Sequence, residues 1–181
     1  MILVEDVLGS SGESRFAGRE ADYLDIEWYN IRKKIDRRTS RSGVDVGIRM
    51  KEALFPRGWR QGDVVYADEK TVLIVDIIPC PCLSLKPAAE AAALIALGYE
   101  IGNRHAPLYY GDSPEELLLP FEEPMKRLLE KLGAPVLVRE ARLLPEKRVS
   151  AAGGSGSGRD HRHNHEDHHE HDGSFFPPAS D

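Results

Sequence analysis

The side chains best equipped for chemistry in this 181-residue chain lie near its end, in the run HRHNHEDHHEH. Six of the seven histidines fall there: His161, His163, His165, His168, His169 and His171. Neutral imidazole suits nickel, copper and zinc. Spacings of one to three residues let several rings reach a single ion from a flexible backbone. Asp160, Glu166, Asp167, Glu170 and Asp172 add oxygen donors and negative potential. A histidine-rich tract of this composition reads as a metal binder. Its interruption by Arg162, Asn164 and the acids distinguishes it from the unbroken run of an expression tag. A fold organised around structural zinc would bring Cys-x-x-Cys pairs, which are missing. A loose segment with many ligands captures or buffers metal and does not catalyse.

The body of the chain offers fewer candidates. His105, in GYEIGNRHAPLYYGD, closes a predicted helix on which Glu100 and Arg104 stand one turn apart as a supporting pair. One imidazole cannot make a metal site, so His105 needs partners from the histidine tract, from the cysteines or from a second subunit. Without them it is a helix cap or a surface residue. Cys80 and Cys82 flank Pro81 in PCPC. Two thiols so placed can help a soft ion such as Cu(I) or Zn, while the plainer reading is buried structural cysteine after a strand. Neighbours this close form only strained disulfides.

Three segments must position these residues. Residues 1–70 contain short, partly alternating pieces, YLDIEW and VDVGIRM among them, punctuated by GSSG, RSG and PRGWRQGD. They predict a small all-β domain. RQGDVVYADEKTVLIVDI reads as two strands with a turn at Asp68-Glu69-Lys70. In residues 71–150, TVLIVDIIP is followed by an alanine- and leucine-rich helix that Pro87 opens and Pro107 stops, with Ala91, Leu94, Ile95 and Ile101 near one face. PLYYGD and ELLLPF then read as strands, PMKRLLEKLG as a helix capped by Gly133, and PVLVREARL as a last strand. That order is the βαββαβ arrangement of a ferredoxin-like domain, so the predicted class is α+β. Residues 151–181 open with the flexible linker AAGGSGSG, and the whole stretch is expected to be disordered without metal.

Charge and composition exclude several functions. The formal net charge is −6, of which six acids and two arginines between Arg159 and Asp181 contribute −4. Asn30 to Arg60 instead holds ten Lys/Arg against three acids. That basic block, with Trp28, Tyr29 and Trp59 nearby, lacks any nucleic-acid-binding motif and reads as a solvated face or a docking surface for an acidic protein. No apolar run is long enough to span a bilayer. The acidic start MILVEDVLGS does not suit a signal peptide, which points to the cytoplasm. GSSGES lacks the Lys-Ser/Thr of a phosphate loop, and neither Gly-x-Ser-x-Gly nor His-Glu-x-x-His occurs. An enzyme is not expected.

GNRH, Gly102 to His105, followed by Pro107, resembles the signature of the UreE-type urease accessory proteins, the nickel metallochaperones. RRTSRSGVDVGIRMKEALFPRGWRQGDVVY is similar to that family's β-rich first domain, and the βαββαβ order and histidine-rich end fit its second domain and variable extension. The resemblance implies that His105 binds Ni²⁺ at a two-fold homodimer interface, opposite its copy. It also implies a partner-binding first domain, a dimerising second domain, and handover to the urease-assembly GTPase and the apo-urease complex. Two departures stand out. Glu100 occupies a position where some members carry histidine, and SPEELLLPF replaces a histidine pair that some carry after the motif. The expected function is thus nickel delivery for urease assembly, with Zn²⁺ or Cu²⁺ as competing ions. The rivals are a general Ni/Zn/Cu store without a dedicated acceptor, and an enzyme built on a His105–Cys80/Cys82 metal site.

Overall fold

The first 77 positions form seven strands: β1 (Ile2–Val4), β2 (Gly9–Ser10), β3 (Glu20–Ile26), β4 (Ile35–Thr39), β5 (Asp45–Arg49), β6 (Asp63–Ala67) and β7 (Thr71–Ile77). The computed structural model describes residues 1–51, 57–86, 90–113 and 115–150. The histidine tract, with its expected disorder, and Pro87 lie outside the described residues. The strands make a three-stranded sheet in the order β1-β5-β4 and a four-stranded sheet in the order β2-β6-β7-β3. Between them lies a core of Val4, Leu24, Ile26, Val46, Ile48, Trp59, Leu73, Val75 and Ile77. The predicted turn between β6 and β7 forms around Asp68, whose Oδ1 accepts from the Lys70 and Thr71 N–H groups at 2.8 and 2.7 Å. Such an Asx turn explains why aspartate leads it.

Strand β7, which follows the expected domain division at 70/71, pairs in parallel with β3, from Glu20↔Thr71 to Ile26↔Ile77. Val72 and Ile74 pack with Phe16 on one side, while Leu73, Val75 and Ile77 enter the core on the other. Burial on both faces is why TVLIV is an unbroken apolar run rather than an alternating one.

The second half keeps the six-element order because PCLSL supplies a further strand, β8 (Cys80–Leu85). It is followed by α1 (Ala91–Asn103), β9 (Tyr109–Tyr110), β10 (Leu117–Pro120), α2 (Glu123–Lys131) and β11 (Val136–Ala141). The sheet order is β11-β8-β10-β9 with every neighbour antiparallel, the ferredoxin-like arrangement. Both helices cover one sheet face, where Leu83, Leu85, Leu97, Ile101, Leu119, Met125 and Leu129 form the core. The other face carries Cys82, Tyr109, Leu118, Ala141 and Leu143, with Trp28 of the first half packed on them. Asp76 at the end of β7 ties the halves together: it accepts from Arg41 at 2.5 Å, Gln61 at 2.7 Å and Arg142 at 3.4 Å. Burial opposes charge on Asp76, but these donors outweigh it and hold the carboxyl below its ordinary pKa.

Candidate metal centre

Helix α1 is an alanine-rich segment that forms readily and buries little. Leu97 and Ile101, one turn apart, are its buried residues, each worth roughly 1.5–3 kcal/mol of burial. The expected apolar face of Ala91, Leu94, Ile95 and Ile101 is therefore only partly right, because Leu94 is 45% and Ile95 71% exposed. A second apolar stripe runs along the outside of the helix. Ile95, Gly98, Tyr99 and Gly102 fall at i, i+3, i+4 and i+7, and Tyr99 is 65% exposed. Nothing lies within 4 Å of where a Cβ would stand on Gly98 or Gly102. A helix apolar on both sides has one face left to cover.

His105 stands at the C-terminal end of that stripe. The helix closes as a Schellman motif: the His105 N–H donates to Gly102 O at 2.9 Å and the Ala106 N–H to Ile101 O at 3.3 Å. The motif sets the residue after the cap in the left-handed region, and His105 has φ 51°. Among the described residues it is the one non-glycine there. Glycine is the usual occupant, and a side chain in this conformation costs about 1 kcal/mol. Ala106 packs on the helix-face core and Pro107 follows, so the backbone that carries His105 leaves the helix in one direction. The imidazole is exposed. Arg104 Nη1 pairs with the Glu100 carboxylate and donates to Glu100 O at 3.1 Å, completing the helix end.

No group of three or more His, Cys, Asp or Glu side chains converges on one point among the described residues. Within one chain, then, the described part of the molecule offers His105 no co-ligands. The cysteines do not join it: Cys82 packs with Tyr109 and Leu143 on one sheet face, while α1 packs on the other. The enzyme reading built on a His105–Cys80/Cys82 site loses its geometry. His161, His163, His165, His168, His169 and His171 lie outside the described residues. The basic block is extensively ion-paired. Arg38 meets Glu27 at 2.7 Å and Asp36 at 2.9 Å, Arg37 meets Asp45 at 2.9 Å, and Arg57 meets Asp63 at 2.6 Å. Hydrogen bonding from Arg38 pulls the Glu27 carboxyl down to about 2. No described helix is long and apolar enough to cross a membrane.

Fold and site together define a class: a β-rich half joined to a ferredoxin-like half that displays one exposed imidazole at a helix end. Residues 4–77 match the family described as "UreE urease accessory protein, N-terminal domain", and residues 80–172 match "UreE urease accessory protein, C-terminal domain". "Urease accessory protein UreE" of Helicobacter pylori (strain G27) is 38% identical over 152 residues, covering 83% of this chain and 88% of its own. The proteins of the same name from Helicobacter acinonychis (strain Sheeba) and Helicobacter bizzozeronii are 37% and 36% identical over 152 residues, again 83% of this chain and 88% and 84% of theirs. The chain belongs to the UreE family of urease accessory proteins.

Proposed function

We propose that this chain is a cytoplasmic nickel metallochaperone that serves urease maturation and catalyses no reaction of its own. The observation that carries the reading is the histidine in a glycine position. Backbone sterics favour glycine at a left-handed helix end, so His105 stands there against local backbone preference, and a ligand role accounts for that. Family membership, whose designation names urease accessory proteins, supports the maturation role.

The missing ligand comes from a second copy. Pairing two α1 stripes about a two-fold axis near their C-terminal ends covers Ile95 and Tyr99 and sets the two His105 rings opposite each other. Gly98 and Gly102 allow the helices to approach closely. The ordered pair holds Ni²⁺, and His161, His163, His165, His168, His169 and His171 gather it; Zn²⁺ and Cu²⁺ compete on ordinary affinity grounds. Delivery is ligand exchange: exposed imidazoles release nickel to the urease-assembly GTPase and beyond it to the apo-urease complex, with the β-rich half as docking platform. GTP hydrolysis belongs to the partner.

Isothermal titration of nickel into the chain ended after Gly158, with His105 and with His105→Ala, tests the ligand role. The tight binding event is expected only with His105. Identical isotherms would leave His105 a helix terminus. A pull-down with the assembly GTPase separates delivery from general metal storage, since a store has no acceptor to capture.

A further inference from the structure

The nickel reading leaves the two cysteines without a role, and their geometry is specific. Cys80 and Cys82 stand at i and i+2 on β8 and so project to the same sheet face. Their sulfur atoms lie 3.7 Å apart. Cys82 is fully buried among Tyr109, Leu118, Ala141 and Leu143, and Cys80 is partly exposed at the strand's end. A cleft of about 310 Å³ is bounded by Pro79, Leu118, Ala141 and Arg142. Pro79 precedes Cys80, Ala141 pairs with Cys80 across the ladder, and Leu118 packs with Cys82, so neighbours of both cysteines line the cleft.

We propose that Cys80 and Cys82 form a two-sulfur site for Cu(I), separate from the imidazoles in place and in metal preference. Ni²⁺ and Zn²⁺ in protein sites need about four donors, and the described residues bring no third metal-ligating side chain to these two. A soft monovalent ion is satisfied by two thiolates. Sulfurs already in contact accept it with a small outward rotation of each side chain. Both thiols release their protons to solvent, each sulfur donates a lone pair to copper, and the metal stays Cu(I) throughout. The complex carries one negative charge.

Cys82 sits among Tyr109, Leu118, Ala141 and Leu143, and that apolar setting suits a soft ion. The consequence bears on nickel handling, because copper outranks nickel at nitrogen ligands. A thiol pair that takes copper first leaves the imidazoles to nickel. This inference does not rest on the nickel reading and fails separately from it.

The test presents Cu(I) anaerobically to the full chain against bicinchoninate as a competing chelator, with X-ray absorption at the copper edge. One Cu(I) per chain is expected in a shell of two sulfurs. Cys80→Ser, at the partly exposed position, is expected to weaken retention by about 100-fold or more, beyond the 10–100-fold typical of outer-shell changes. Its nickel isotherm should match the parent's, which shows that the variant is folded. Cu(I) held equally well by Cys80→Ser, or a copper shell of nitrogen alone, would overturn the proposal.

Discussion

Helix α1 runs into Arg104-His105-Ala106-Pro107, and helix α2 runs into Leu132-Gly133-Ala134-Pro135. The two ends share one design. In α2 the Gly133 N–H donates to Glu130 O and the Ala134 N–H to Leu129 O, both at 3.0 Å, repeating the Schellman pair of α1. Each alanine packs on the same helix-face core, and each is followed by proline. Gly133 has φ 78° and His105 has φ 51°. One fold thus solves the same local problem twice, once with the residue that backbone sterics prefer and once with a histidine. The difference separates what the backbone needs from what function adds: the carbonyls are satisfied alike, and only the imidazole is surplus.

The largest effect concerns capacity rather than geometry. Ending the chain after Gly158 removes six of the seven histidines. Nickel bound per chain should fall to a small fraction of the full-length value, measured by equilibrium dialysis. The thermal midpoint should hold, because residues 1–150 close their own cores. A fall of many degrees would show that the removed residues contribute to the fold.

Next in size is the dimer. Ile95→Asp puts charge into the stripe that leads to His105 and leaves Leu97 and Ile101 untouched. Analytical ultracentrifugation should show association weakened by at least about 100-fold, since a buried unpaired carboxylate costs several kcal/mol. The equivalent change on α2, at its exposed Arg127, should leave the association state alone. A dimer that persists in Ile95→Asp would move the interface elsewhere.

Acid should separate metal binding from folding. Imidazole must be neutral to hold a metal, and its reference pKa is about 6.5, so nickel occupancy should fall between about pH 7.5 and 5.5. The fold should survive that window. Glu27 has its carboxyl pulled from 4.5 to about 2, chiefly by its hydrogen bond from Arg38. Because the folded state favours the charged form, its contribution is present above pH 4.5 and is lost as pH falls toward 2. Glu27→Gln should flatten that part of the stability curve in urea melts. Nickel binding that stays level down to pH 5.5 would point to carboxylate ligands.

Much of the second half is legible in its residues. Pro124 in the first turn, Lys131 in the last and Gly133 beyond it mark α2 at both ends. Strand β7 misleads for a physical reason: with Val72 and Ile74 against Phe16 and Leu73 and Val75 in the core, a run buried on both faces carries no sign of which sheet it joins. Helix α1 misleads similarly, since apolar residues surround it and periodicity cannot tell the inner face from the one left open. His105 is recognisable as a candidate through GNRH, but its left-handed backbone is not, because histidine does not announce that conformation as glycine does. The parallel between RHAP and LGAP is the one signal that would have revealed it. The meeting of the two sulfurs depends on side-chain direction along β8, which PCPC leaves open between metal ligand and core.

The smallest effects fall on stability. Gly133→His should lower it by about 1 kcal/mol and the melting midpoint by about 2–4 °C, the cost of a side chain in the left-handed region. The reverse exchange, His105→Gly, tests the central claim most directly, with thermal melting and nickel titration read on the same full-length protein. The midpoint should rise by a similar 2–4 °C while the tightest nickel event disappears and the weaker capacity of the histidine tract remains. A midpoint that falls, with nickel binding unchanged, would show that His105 serves the fold and not the metal.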